Sequence, residues 1–307
     1  MQRKKMLIAV LAIVLLVGVV SAATISYFGQ IKVTTTVSQA VLVDGKSYAD
    51  MPIEETATVA GGESFCRPHW LKSQTSVPVT VGLYTPPEAG ITVTYSTQIT
   101  DNNTNFGSED NEVVAFPITS GLILNTLFAG DGLKYTYTVL AGGTFGGASP
   151  IIAVLDLADG RHIVLFPGWG ARTGLNELQF SETIAYDSCV TNHAVDFVVY
   201  DSTFHKIWGS PGSYPAFAGI KTSPLVPISG VEVVTRIAIQ HQGANTGETD
   251  RLDSLAFGVT TYSFAITEGT PFTLQPLQKL HFVICYKFDL LIQGGTYYIY
   301  TTVKPSP

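Results

Sequence analysis

Charge is what this sequence most conspicuously lacks. Asp, Glu, Lys and Arg together supply 13% of its 307 residues, against about 25% in an ordinary soluble domain. What charge there is leans acidic, with 17 Lys and Arg against 24 Asp and Glu and a net −7. No basic patch is available to neutralise phosphates, which argues against nucleic acid as a partner. Cysteine is scarce as well. Cys66, Cys189 and Cys285 include no CxxC pair, so they suggest no zinc site and leave room for one disulfide and one spare thiol. The six histidines stand apart from one another and no H-E-x-x-H occurs, so the three or four converging ligands of a zinc centre are not in prospect. No G-x-S-x-G elbow is present either. Together these absences argue against an enzyme. No segment keeps a 3.6-residue apolar period, so almost no helix is expected.

The residues that fill the gap are β-formers. Hydrophobic residues reach 46%, and Thr, Val, Gly and Tyr are abundant, which favours β-structure and a surface of hydroxyls. The beginning of the chain reads as a signal peptide over residues 1–22. Gln2-Arg3-Lys4-Lys5 is a positive n-region, Met6 to Val20 is apolar apart from Gly18, and Val20-Ser21-Ala22 supplies the small residues of a cleavage site. The apolar run is short for a spanning helix, which needs about 20 residues, and no second run exists. A secreted, cell-surface protein without a membrane span after cleavage is expected.

Thr24 to Val43 then alternates with period two. Ile25, Tyr27, Ile31, Val33, Val37, Val41 and Val43 share one parity, while Ser26, Gln30, Lys32, Thr34 and Thr36 share the other. This predicts one amphipathic strand about three times the usual length, with Gly29 as a point of division. Such a strand at the start of the mature chain either pairs within its own sheet or completes the sheet of another molecule. Further on, Asp44-Gly45-Lys46 and Ala60-Gly61-Gly62-Glu63 read as turns. Val77–Leu83 and Ile91–Ile99 read as strands, and Asp101–Glu112 as an acidic loop. From Ala115 the texture changes to short strands between Gly-, Pro- and Asn-rich turns: Leu133–Leu140, Ile151–Leu157, His162–Phe166, Glu177–Ile184, Ala194–Tyr200, Val231–Gln240 and Phe257–Phe264. That pattern indicates a sandwich or jelly roll. From Ile266 the first texture returns, ending in TYYIYTTV, where Tyr297, Ile299, Thr301 and Val303 face one way. The reading is all-β: a jelly-roll-like β-sandwich built from 23–114 and 266–307, with a second β-sandwich inserted at 115–265.

The order of ATISYFGQIKVTTTVSQAVLVDG, HWLKSQTSVPVTVGL and LQPLQKLHFVICYKFDLLIQGGTYYIYTTV behind a signal peptide resembles the TasA/camelysin-like exported β-sandwich proteins, which include archaeal bundling-pilus subunits. The resemblance covers roughly Ala23–Glu112 and Ile266–Val303; the inserted half departs from it. It implies a pilus or biofilm-fibre subunit that polymerises with copies of itself. The donor strand would comprise Thr24, Ile25, Tyr27, Ile31, Val33, Thr35 and Val37. Because Cys66 and Cys285 both fall in the discontinuous outer domain, they are the expected disulfide, with Cys189 left free.

Three further candidates come from the residues themselves. Asp101, Asn103, Asn105 and Glu112 occupy positions 1, 3, 5 and 12 of a calcium-loop pattern, with Phe106 where the pattern wants Gly. Otherwise no cofactor is expected. Asn102-Asn103-Thr104 is an N-glycosylation sequon at Asn102. Trp169, Trp208 and Tyr214 adjoin Gly/Pro loops and would stack on sugar rings if exposed, or fill a core if not. Glu248, Asp250 and Asp253 read as a solvated loop entering a strand, with a second cation site or sugar contacts as the functional option. The rival to the filament subunit is a monomeric carbohydrate-binding surface protein, its first strand folded back into its own sheet.

Overall fold

The computed structural model describes residues 24–26, 30–32, 39–47, 50, 52–100, 112–141, 151–166, 174–181, 185–187, 196–209, 228–241 and 249–305. The chain forms two compact units, Met1–Gln39 and Ala40–Pro307. In the first, β1 (Thr24–Ser26) and β2 (Gln30–Lys32) make a two-stranded antiparallel sheet of their own, Ile25 opposite Ile31. The single strand expected through Thr24–Val43 is therefore corrected to a hairpin. Each strand satisfies part of the other's backbone. Tyr27, Val33, Thr35 and Val37 lie outside the described residues.

The second unit is nearly all β. Its early strands are β3 (Val41–Val43), β4 (Ser64–Ser73), β5 (Val79–Tyr84), β6 (Ile91–Ser96), β7 (Gln98–Thr100) and β8 (Glu112–Ile123). After the short helix α1 (Leu124–Leu127) come β9 (Leu133–Ala141), β10 (Ile151–Leu157), β11 (His162–Phe166), β12 (Gly174–Phe180), β13 (Ala185–Asp187), β14 (Asp196–Tyr200) and β15 (Lys206–Trp208). The last six are β16 (Val233–His241), β17 (Thr249–Phe257), β18 (Thr260–Ser263), β19 (Phe272–Leu274), β20 (Lys279–Phe288) and β21 (Thr302–Pro305). All pairings between them are antiparallel.

A ten-stranded sheet runs β15-β14-β11-β10-β16-β8-β20-β4-β3, with β6 beside β20. A six-stranded sheet, β13-β12-β9-β17-β18 with β7 beside β17, faces one end of it; a three-stranded sheet, β19-β5-β21, completes the set. The strand read as Ile91–Ile99 is divided at Thr97: β6 pairs with β20 in the large sheet, and β7 pairs with β17 in the six-stranded one. Buried Thr97 holds the crossing by donating to the Leu252 carbonyl at 2.8 Å.

Strands are shared across the expected boundaries at Ala115 and Ile266. β8 begins before Ala115, pairs along its length with β16, and joins β20 at Ala115↔Lys279 and Val114↔Leu280. One hydrophobic core runs through Leu71, Leu83, Phe282, Phe116, Leu155, Tyr135 and Leu252. A domain boundary needs few contacts across it; here a hydrogen-bonded ladder crosses.

β10 is buried on both faces from Ile151 to Leu155, as its apolar run there requires. Ala153 and Leu155 enter the main core, while Ile152 and Val154 join Val164 in a smaller cluster against Tyr200 and Phe204. The stretch GETDRLDSLAFG, expected as a solvated loop entering a strand, contains all of β17. Asp250 is buried and bonded to His241, and Leu252 and Leu255 are core residues. Two charges every three residues disguised the strand, because its carboxylates are paired rather than solvated.

Candidate functional site: the outer edge of strand β4 and the charged rung across the large sheet

β4 lies next to the rim of the ten-stranded sheet. One side pairs with β20 over Ser64–Lys72, but β3 covers only Leu71–Ser73 on the other. The chain leaves β3 through Asp44-Gly45, both with positive φ (48° and 75°), closed by Lys46 N–H to the Val43 carbonyl at 2.8 Å. This is the Asp-Gly turn whose twist suits a hairpin. The Asp44 carboxylate then accepts from the Trp70 amide at 2.8 Å and contacts His69 Nδ1 at 2.7 Å. The Asp44 amide donates to the Trp70 carbonyl at 3.0 Å. Next along the same edge is Pro68, which has no amide to offer an added strand. Pairing, a capping turn and a proline thus guard this rim in succession.

On the side of β4 that carries Trp70 and Pro68, Cys66 faces Cys285 directly across the ladder, and the two are joined by a disulfide over a sequence separation of 219. Cys189 lies outside the described residues. Near Trp70 on β20 is His281, whose Nδ1 is buried without a hydrogen-bond partner. Desolvation first, then the nearby His69 and Lys279, push its pKa down to about 4.

A chain of charges crosses the large sheet from β11 to β20. His162 Nδ1 meets Asp156 at 2.7 Å, and Asp156 accepts from Arg236 at 3.1 Å. Arg236 also donates to Glu112, whose other oxygen lies 3.6 Å from Lys279 Nζ. Lys279 in turn sits over the Trp70 ring at 5.1 Å. Glu112 is 2% exposed at its side chain. Its carboxylate, expected as the twelfth calcium-loop ligand, lies beside two cations, Arg236 and Lys279. Asp101, Asn103, Asn105 and the sequon residue Asn102 lie outside the described residues. Among the described residues, no three His, Cys, Asp or Glu side chains are grouped to hold a metal ion.

Of the sugar-contact candidates, Trp169 and Tyr214 lie outside the described residues. Trp208 is half-buried and packs against the main core at the β15 edge, opposite Val199. Among the described residues, the exposed aromatics are elsewhere: Tyr84, Tyr298 and Tyr300, at 40%, 76% and 62%. The period-two pattern of TYYIYTTV was the sequence signal for the last two, since it places Tyr298 and Tyr300 opposite in parity to Ile299 and Val303. No helix among the described residues is long and apolar enough to cross a membrane. The chain matches no protein-family model, no curated protein and no solved structure.

Proposed function

We propose that this protein is an exported structural subunit of an extracellular filament, assembled by donation of its N-terminal segment to a neighbouring copy. Signal cleavage near Ala22 or Ala23 would leave Thr24–Gln39 leading a jelly-roll-type sandwich. The supporting observation is that β1 and β2 pair with each other in a sheet of their own. An isolated two-stranded hairpin is at best marginally stable in water. Its few backbone bonds are readily exchanged for a ladder on another subunit, where Ile25 and Ile31 gain an apolar surface. Such a contact runs head to tail and propagates rather than closes.

The test is electron microscopy of the purified full-length protein beside a variant lacking residues 23–31 and an Ile31→Asp variant. Filaments from the wild type, and their loss in both variants with the sandwich still folded, are expected. Normal filaments from the deletion variant, or a wild type that stays monomeric at high concentration, would overturn the reading.

A further inference from the structure

The three-stranded sheet turns one face to the core and the other to solvent. Val81, Leu83 and Leu274 point inward and are buried. The outward positions are Thr80, Gly82 and Tyr84 on β5, Thr273 on β19, and Thr302 and Lys304 on β21, with Tyr84 opposite Thr302 and Lys304 opposite Gly82. The alternation of exposure continues upstream of β21, so Tyr298 and Tyr300 extend the same face. The ladder to β5 ends at Tyr84 because Pro86-Pro87 follow and offer no amides. The result is that exposed Tyr298 and Tyr300 stand at alternate residues just before β21, with exposed Tyr84 on β5 opposite Thr302. Gly82 has nothing within 4 Å of where a Cβ would stand, which leaves an open trough beside the row.

The charge on this face is as distinctive as its rings. No Asp or Glu occupies any of its strand positions, in a chain of net charge −7. Its one charged side chain is Lys304, whose Nζ lies 4.8 Å above the Tyr84 ring. Glu268, on the turn before β19, is taken up by the Thr85 amide at 3.1 Å. Single exposed aromatics are ordinary, but a contiguous row on one face marks a contact surface. Flat rings bordered by hydroxyls suit a partner with apolar C–H faces and a polar rim, and the lone cation selects a partner bearing negative charge.

We propose that this face binds an acidic polysaccharide, with sugar rings lying on Tyr298, Tyr300 and Tyr84 and a uronate carboxylate meeting Lys304. The site is independent of filament formation. Titration of the full-length protein with soluble polygalacturonate, followed by calorimetry, tests it against uncharged dextran. Tyr298→Ala and Tyr300→Ala should each weaken polygalacturonate binding about tenfold. Lys304→Met should abolish the preference over dextran, Lys304→Arg should keep it, and added salt should weaken binding. All three side chains are solvent-facing, so the variants should melt with the wild type, and Val259→Ser, at an exposed site elsewhere, should bind normally. Absence of binding by the folded wild type, equal binding of dextran, or indifference to the tyrosine substitutions would overturn the proposal. So would variants whose only defect is lost self-association, which would make the face a contact between copies.

Discussion

The two ends of the ten-stranded sheet solve the same problem differently. At one end β10 and β11 place apolar side chains on both faces, Ile152, Val154 and Val164 forming a second cluster behind the main core. They meet the six-stranded sheet through Tyr135, Tyr137, Phe180 and Leu252, all fully buried. The Tyr135 hydroxyl even donates across the core to the Ile151 carbonyl at 3.0 Å. At the other end β4 and β20 face only a three-stranded sheet. There the structure adds a disulfide, a capping turn and a cluster of hydroxyls: Thr85 bonded to Tyr95 and to Thr301, the latter at 2.7 Å. A thin core contributes less burial, so covalent and polar links carry more of the stability there. The thin end is also where the exposed tyrosines lie. The proposed contact face and the staple share one region.

The comparison is most directly broken at the staple. Replacing both Cys66 and Cys285 by Ala frees a very long loop in the unfolded chain and should cost on the order of 4–5 kcal/mol from loop-closure entropy. Denaturant titration of the double variant checks this. A loss under about 1 kcal/mol would mean the thin end needs no staple.

Phe180→Ala probes the thick end. Phe180 is fully buried and meets Phe128 edge-on at a ring separation of 4.7 Å. The cavity should cost about 3–5 kcal/mol, read as a fall in urea midpoint at unchanged slope.

Acid should act on the thin end through His281. Its folded pKa, about 4, lies below the ordinary 6.5, so the unfolded chain takes up the proton first. Stability from this residue is complete above about pH 6.5 and is lost as pH falls toward 4, a total of about 3 kcal/mol. His281→Phe should flatten that part of the stability–pH curve relative to the wild type. An unchanged curve would show that the buried Nδ1 finds water.

The smallest effect is expected at Leu175, 69% exposed on β12. Leu175→Ser should alter stability by no more than about 0.5 kcal/mol, which sets the baseline for the other three variants.

How much of this was legible depends on how locally each feature is specified. Ile151–Leu157 and His162–Phe166 were readable to the residue, since a short apolar run between turn residues has few alternatives. The Asp44-Gly45 turn was equally plain, because only certain residues accept two successive positive φ angles. β17 was misread because its buried partners, His241 for Asp250 and Thr138 for Asp253, come from other strands. The ion pairs of Glu112 were hidden for the same reason, as Arg236 and Lys279 are far away in sequence. Among the candidate site residues, the Cys66 and Cys285 positions could be paired on domain logic. The tyrosine row was visible as an alternation, without any indication of which parity faced water.

By itself the sequence determined the all-β class, the near absence of helix, the turns and many strand positions, because these follow from side-chain period and local backbone preference. Only the tertiary structure decided that the two textures share one sheet and one core, that the N-terminal segment pairs with itself, and that Glu112 is buried between cations. Those outcomes depend on which strands meet; for the shared sheet and for Glu112 the contacts join residues more than a hundred positions apart, and for the N-terminal segment the period-two pattern alone does not say which partner it takes.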